Sequence, residues 1–228
     1  MAGLDIRNTI LSAIRLYLGD DAEKPGAVLY NGLDTLCSNN GLYIMGFNPG
    51  GDPNTITTSV IKSLEVLKDK YCSYRDECWR KACREDCKKH QGESRHQERV
   101  RSLAQVLRRD ISETVAVNAV FLRSKKQDDL EASWDIFEKC WHVHEKLLSI
   151  VRPKIILCLG NGEPRSAFAF LRKKVSPTTQ PSSDHVKSFV SEIVQCPVIG
   201  VRHPSYPWFD PVTDLKSFLE KNHGLAKL

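Results

Sequence analysis

The sequence predicts an α/β fold in which a central, mainly parallel sheet of four strands lies between two layers of helices. Two observations support this three-layer α/β/α prediction. Short runs of branched apolar residues alternate with stretches whose apolar residues recur at helical spacing, and this alternation is typical of parallel sheets covered on both faces. The strand candidates are also apolar almost throughout, as expected for strands buried on both sides.

Helices are predicted where apolar residues recur every three or four positions. The first spans residues 5–18, where one face carries Ile6, Ile10, Ile14 and Leu18. Similar spacing occurs in 134–149 and, over a shorter length, in 166–174. Residues 176–185 are rich in Pro and Ser and are expected to form a mobile loop.

Four apolar runs predict the strands: 42–47, 115–121, 154–160 and 197–202. A polar residue lies near or just beyond the end of each run, and these residues are Asn48, Asn118, Asn161 and His203. Ligands bind beyond the carboxyl ends of the strands in open parallel sheets, because the loops converge there. We therefore expect one site assembled from four loops.

Length and composition are typical of one globular domain covering residues 1–228. The chain has 41% hydrophobic and 27% charged residues, and it contains no apolar run long enough to cross a bilayer. The first ten residues lack the basic and apolar regions of a secretory signal. We expect a monomer without a membrane partner and an intracellular address, cytoplasmic in a bacterium and nuclear in a eukaryote.

A charged segment at about 72–101 is expected to be an insertion, helical and solvated. Between Lys68 and Arg109 there are thirteen Lys/Arg and seven Asp/Glu, a balance of +6 against +5 for the whole chain. A solvated helix face is the ordinary interpretation of such a segment. The alternative is contact with nucleic-acid phosphates, for which the candidates are Arg80, Lys81, Arg84, Lys88 and Lys89.

Four of the eight cysteines cluster in the same segment: Cys72, Cys78, Cys83 and Cys87. Their spacing matches neither a zinc-finger pair nor a ferredoxin run. We interpret them as reduced helix thiols and expect neither a metal nor another cofactor, with a metal site as the alternative.

Four motifs in order resemble those of the uracil-DNA glycosylase superfamily. They are GFNPGG at 46–51, VAVNAVFLRS at 115–124, IILCLGNG at 155–162 and VRHPSY at 201–206. The first is similar to the Gly-x-Asn-Pro-Gly form of the mismatch-specific and single-strand-selective branches. The resemblance covers residues 42–210 and implies a glycosylase fold and DNA as the partner.

The resemblance implies catalytic roles for Asn48 and His203. Asn48 would hold a water beneath the sugar C1′, with Pro49 fixing the backbone, and His203 would stabilise the base as it leaves with negative charge. The alternatives are a turn that selects Asn48 for its backbone conformation and a histidine that only ties down a loop. Asp52 is a rival carboxylate that we interpret as a turn or cap residue.

The resemblance also implies the base-binding residues. Asn118 matches the pyrimidine reader, although an asparagine that bonds its own backbone is the alternative; the neighbouring motif positions Gly46, Phe47 and Ser205 would line the same site. Gly50 stands where the most uracil-selective branch has a bulky aromatic residue. An open wall there puts strict uracil specificity in doubt.

Aromatic contacts are harder to assign, because the family's stacking aromatic is absent at its usual spacing. Tyr71 or Tyr74 is the candidate platform for a flipped base, with Trp79 nearby and core packing as the alternative. After the histidine motif, the candidates for a wedge into DNA are Tyr206, Trp208 and Phe209. Asn161 is a further candidate DNA contact.

The resulting expectation is a monofunctional DNA glycosylase. No lysine occupies a motif position, so Schiff-base lyase chemistry is not indicated. The substrate would be uracil or a mismatched or modified pyrimidine. The alternatives are excision of a bulky modified pyrimidine from phage DNA in defence, and a catalytically silent nucleic-acid binder of the same fold.

Overall fold

A computed structural model describes residues 2–79, 90–125, 133–176 and 185–222. Its centre is a five-stranded sheet with the strand order β2-β1-β3-β5-β4. The strands are β1 (Leu42–Gly46), β2 (Val115–Asn118), β3 (Ile155–Leu159), β4 (Lys187–Ser191) and β5 (Cys196–Val201). Neighbouring strands are parallel from β2 to β5, and β4 pairs antiparallel with β5 at the edge.

The helices lie before, between and after these strands. They are α1 (Ala2–Leu18), α2 (Val60–Glu65), α3 (Ser73–Asp76), α4 (Arg95–Val106), α5 (Ser133–Val151), α6 (Ala167–Val175) and α7 (Pro211–Lys221). The predicted helices at 5–18, 134–149 and 166–174 are confirmed as α1, α5 and α6.

The four predicted strands are all present and parallel, but the predicted strand number was wrong. The fifth strand, β4, has the sequence KSFVS. It was missed because an edge strand has only one neighbour and needs few apolar residues: Phe189 is buried, whereas Val190 is 45% exposed. The predicted mobile loop at 176–185 lies largely outside the described residues.

Helices cover both faces of the sheet, which gives three layers. Successive side chains of a strand point to opposite faces, so Tyr43 and Met45 pack with α1, α5 and α6, while Leu42 and Ile44 pack with α4 and α7. The second face, hereafter the α4 face, positions the site described below.

The described part of the charged segment is packed rather than solvated, which corrects the expectation for 72–101. Tyr74, Gln97 and Val100 are all buried. The amide of Gln97 donates to the backbone carbonyls of Ser73 and Glu77, at 2.8 Å each, and so joins α4 to α3. α4 was predicted to be solvated because its charged residues are interspersed with the apolar residues that pack on the sheet.

Within the described ranges, no helix is both long enough and apolar enough to cross a membrane.

Candidate active site

The motif residues lie at or just after the carboxyl ends of β1, β2, β3 and β5, along one edge of the sheet. Gly46 is paired with Asn118 across β1 and β2, and alternation along the strands places the Asn118 side chain on the α4 face, with Ala116 and Ile44. Residues before His203 alternate in the same way, since Val201 also packs on the α4 face. Adjacent strands lie about 4.8 Å apart, so the loops after β1 and β5, which flank β3, are about 10 Å apart.

The side-chain amide of Asn48 has a fixed orientation. Its Nδ2 donates to the carbonyl oxygen of Pro49 at 3.0 Å and to Oγ of Ser124 at 2.9 Å. A carbonyl oxygen can only accept, so the group facing Pro49 must be the NH₂. Both amide hydrogens are therefore used. Oδ1 has no hydrogen bond within the described residues and is not buried, which leaves it available to accept from a water.

Three consecutive residues after β2 hold the loop that carries Asn48. Arg123 donates to the carbonyl oxygen of Gly50, the Ser124 amide donates to that of Pro49 at 3.2 Å, and Lys125 pairs with Asp52 at 2.7 Å. These contacts leave the loop that carries Asn48 little freedom.

Asp52 is a turn residue, as interpreted from the sequence. Its Oδ1 accepts from the Asn54 backbone amide at 3.0 Å, and its backbone carbonyl accepts from Ile56. The hydrogen bond from Lys125 lowers the pKa of this carboxyl group. Because the Asp52 carboxylate is bound by Lys125 at the turn, we do not assign it as the water-binding group.

Asn118 is 5% exposed and lies directly over Gly46. A Cβ atom at Gly46 would lie 2.3 Å from Asn118 Oδ1, so only glycine leaves room for the amide. Nδ2 donates to the hydroxyl of Tyr30 at 2.9 Å, and burial raises the pKa of Tyr30 to about 12. Tyr30 thus positions the candidate base reader, and no motif in the sequence had indicated it.

The tautomer of His203 is fixed by a residue that follows it in the chain. Its Nδ1 accepts from the backbone amide of Ser205 at 3.3 Å, so the proton of the neutral ring is on Nε2. Burial lowers the pKa of His203 to about 4, which keeps the ring neutral near pH 7. Gly160, with a φ of 119°, directly follows β3 next to the His203 ring and adds no side chain between the β1 and β5 loops.

The first two turns of α4 hold the loop after β5. His96 Nδ1 lies 3.1 Å from Ser205 Oγ, and Arg99 donates to the carbonyl oxygens of Pro204 at 3.0 Å and Tyr206 at 2.6 Å. Neither residue was a sequence candidate, since both are embedded in the charged segment. The segment therefore reaches the site from the α4 face.

Aromatic rings form a continuous arc between Asn118 and His203. Along the arc the ring centroids are 5.9 Å apart for Tyr30–Trp79, 5.7 Å for Trp79–His96 and 5.2 Å for His96–His203. The Trp79 indole donates to Glu77, which fixes the ring. This arc is the inner wall of the site.

The two platform candidates occupy different places. Tyr74 is 4% exposed and packs behind Trp79 at 5.3 Å, so it supports the arc from the core. Tyr71 donates its hydroxyl to Glu77. Trp79, which the sequence placed only nearby, is half-buried and therefore more open than Tyr74.

Gly50 and Phe47 have different surroundings in the loop after β1. A Cβ at Gly50 would meet no heavy atom within 4 Å, so the wall is open there. The ring of Phe47 packs into the core on the opposite face, 5.2 Å from Phe170. Only the backbone of Phe47 is available to the site.

Asn161 is turned away from the surface. Its Nδ2 donates to the carbonyl oxygens of His185 at 2.7 Å and Gly200 at 3.0 Å. The side chain ties the loop after β3 to β5, so any contact of this position with DNA would involve the backbone.

The loop after His203 presents exposed aromatic side chains. Tyr206 is 55% exposed and Trp208 is 81% exposed. Phe209 is half-buried under the guanidinium of Arg202, 4.0 Å from the ring centroid. Of the three wedge candidates, Trp208 has the most exposed side chain.

The phosphate-contact candidates lie outside the described residues: Arg80, Lys81, Arg84, Lys88 and Lys89. So do Cys83 and Cys87. Among the residues with described positions, no group of three or more His, Cys, Asp or Glu is arranged to hold a metal ion.

Neither family models nor curated protein sequences match this chain.

Proposed function

We propose that the protein is a monofunctional DNA glycosylase that hydrolyses the N-glycosidic bond of a flipped pyrimidine nucleotide. One combined observation carries this proposal. Asn48 Oδ1 has no hydrogen-bond partner among the described residues, and His203 at the same sheet edge is neutral with its proton on Nε2. The two groups follow β1 and β5 at one edge of the sheet, and Asn118 ends β2, the neighbour of β1, at the same edge.

The chemistry follows from what each group can do. The base leaves as an anion, and the Nε2–H of His203 donates to its oxygen as charge develops. Asn48 Oδ1 accepts a hydrogen bond from a water molecule and orients the water oxygen towards C1′. An amide cannot remove the proton of that water. Bond cleavage therefore precedes water addition, and the water proton passes to the departed base or to solvent. The products are a free base and an abasic sugar.

Asn118 supplies recognition in this scheme. One Nδ2 hydrogen is donated to Tyr30, and the other hydrogen and Oδ1 have no partner among the described residues. An amide in this state can donate to one atom and accept from another on the edge of a pyrimidine. Trp79, fixed by Glu77, offers a face for stacking, which is worth about 1–3 kcal/mol per base.

The test is excision under single-turnover conditions with oligonucleotides that contain uracil, a T mismatch or a 5-hydroxymethylated pyrimidine, followed by alkaline cleavage. We expect abasic product with at least one substrate, and a loss of about 10²-fold or more for Asn48→Ala. Asn54→Ala is the matched control, since Asn54 is an exposed asparagine of the same loop. Tight binding without product from any substrate would instead support a silent binder.

A second candidate substrate is a pyrimidine with a bulky C5 substituent, as in modified phage DNA. Open space at Gly50 favours it. In the same assay, Gly50→Tyr should reduce excision of glucosylated or hydroxymethylated bases much more than excision of uracil. An equal effect on both would remove the support from Gly50.

DNA is the proposed partner and an intracellular monomer the proposed state. The basic residues of 80–89 would supply phosphate contacts without sequence preference. Neutralising three of them should reduce the slope of log affinity against log salt by about 2–3.

A further inference from the structure

His96 lies beside the candidate catalytic histidine although it belongs to a different part of the chain. The centroids of the His96 and His203 rings are 5.2 Å apart, with a tilt of 32° between the planes. The resemblance and the motif pattern assign no role to His96, and the mechanism above does not use it.

Ser205 connects the two imidazoles through two different groups. Its backbone amide donates to Nδ1 of His203 at 3.3 Å, and its hydroxyl lies 3.1 Å from Nδ1 of His96. Because Ser205 is exposed, its hydroxyl would otherwise rotate freely in solvent. The contact with His96 fixes the residue whose amide in turn fixes His203.

Protonation of His203 would break this arrangement. Nδ1 would then carry a hydrogen directed at the Ser205 N–H, and two donors cannot share a hydrogen bond. The loop would have to open, and the Nε2–H would lose its direction. A site that depends on this donor must therefore keep His203 neutral.

The surroundings of the pair favour the neutral form. His96 is enclosed by Trp79 at 5.7 Å and Tyr74 at 6.3 Å, and Tyr206 lies 5.9 Å from His203. The charged residues of α4 are Arg95, Glu98, Arg99 and Arg101. Of these, Arg99 donates to the Pro204 and Tyr206 carbonyl oxygens next to the pair and disfavours a second positive charge there. Burial lowers the pKa of His96 to about 3, with the charge of His203 as a smaller cause, and that of His203 to about 4.

We propose that His96 is a positioning residue: through Ser205 and by covering the ring, it holds His203 neutral with its Nε2–H directed into the site. The structural arrangement stands without the proposed function, but its consequence for excision rests on that function.

The direct test is a pH titration of His203 followed by NMR with ¹³C,¹⁵N-labelled histidine. In wild-type protein we expect a pKa near 4. In His96→Ala the pKa should rise towards the ordinary value of about 6.5, because solvent reaches the ring. His96→Phe keeps the cover but loses the bond to Ser205, so the pKa should stay low. His142→Ala is the control, since His142 is an exposed histidine of α5 that pairs with Glu145.

Single-turnover excision provides the second measurement. At pH 7, His96→Ala should lower the maximal rate by about 10²-fold with little change in substrate affinity, and its acid limb should move to higher pH. His96→Asn, which can still bond Ser205, should recover part of the rate. The His142→Ala control should match wild type in both.

The outcomes separate the two proposals. If His203 titrates alike in wild type and His96→Ala, the role of His96 is wrong. If wild-type protein excises no base but the pKa shift is seen, the proposed function is wrong and the positioning role holds. Should His96→Ala fail to fold, the Phe and Asn variants decide: equal rates and equal titration to wild type in both would overturn the proposal.

Discussion

Gly46→Ala is the substitution whose effect follows most directly from the geometry. The added Cβ would lie 2.3 Å from Asn118 Oδ1, about 1 Å inside the roughly 3.3 Å of the shortest ordinary C···O contacts. The backbone at Gly46 cannot move easily, because β1 is paired with a strand on each side. Gly46 itself is paired with β2, and the preceding Met45 is paired with β3. The Asn118 amide must move instead.

The free-energy change can be worked from two parts. Moving the amide breaks its 2.9 Å hydrogen bond with Tyr30, which is worth about 0.5–1.5 kcal/mol net. Overpacking at a buried position adds about 1–3 kcal/mol. We therefore expect the free energy of unfolding to fall by about 1.5–4.5 kcal/mol, a large part of the stability of a typical domain. Base recognition should fail as well, since Asn118 no longer faces its partner.

Urea unfolding followed by circular dichroism measures the first effect, and single-turnover excision measures the second. Gly50→Ala is a matched control four residues further along the chain, because a Cβ at Gly50 would have no neighbour within 4 Å. The free energy of unfolding of this variant should change by less than about 0.5 kcal/mol. If Gly46→Ala unfolds at the same urea concentration as Gly50→Ala, Asn118 does not occupy the space above Gly46 and the argument for a fixed base reader fails.

Three further predictions concern single side chains. His144 is fully buried between the Tyr43 hydroxyl and the Ala119 carbonyl, and burial lowers its pKa from 6.5 to about 4. The unfolded chain therefore binds the proton first, so this histidine should lower the free energy of unfolding by up to about 3 kcal/mol as the pH falls from 6.5 to 4; His144→Gln should be less pH-sensitive in urea unfolding, and an identical pH dependence would refute the assignment. Asn48→Asp should not simply accelerate excision, because one carboxylate oxygen would face the Pro49 carbonyl at about 3.0 Å. The pKa of the new carboxyl group should rise, with an acid limb in the pH–rate profile that wild type lacks at the same pH. Trp208→Ala should leave stability unchanged, as the side chain is 81% exposed, but weaken DNA affinity by about 1–3 kcal/mol; unchanged affinity in a fluorescence anisotropy titration would exclude it as a wedge.

The sheet was predictable where burial on both faces forces a continuous apolar run. β1, β2, β3 and β5 satisfy that condition, since almost every residue in them is buried. β4 does not, because it is an antiparallel edge strand with two half-buried and one exposed residue. A one-sided pattern over five residues cannot be distinguished from a loop by composition. The same limit applies to α4, whose charges concealed an apolar stripe.

The site was predictable only where local chemistry is unusual. Asn48 stands between an apolar strand and a Pro-Gly-Gly turn, and Asn118 interrupts an apolar run. Both residues can therefore be identified as site candidates from the local sequence. Tyr30 and His96 have no such local sign. Each acts through a contact that spans a long stretch of chain, from Tyr30 to Asn118 and from His96 to Ser205. Pattern reasoning along one sequence has no access to such pairings.

The described part of the charged segment at 72–101 therefore belongs to the candidate site rather than to the periphery. The strands alone would place Asn48, Asn118 and His203 along an edge that is open on the α4 face. Trp79 and His96 supply the wall between the amide and the imidazole, and Arg99 holds the backbone of the loop that carries His203. A glycosidic bond that breaks with charge separation requires donors fixed in advance in a water-poor space. Removing this segment should thus abolish excision even if the sheet still folds, because the donor would lose its direction and the site its cover.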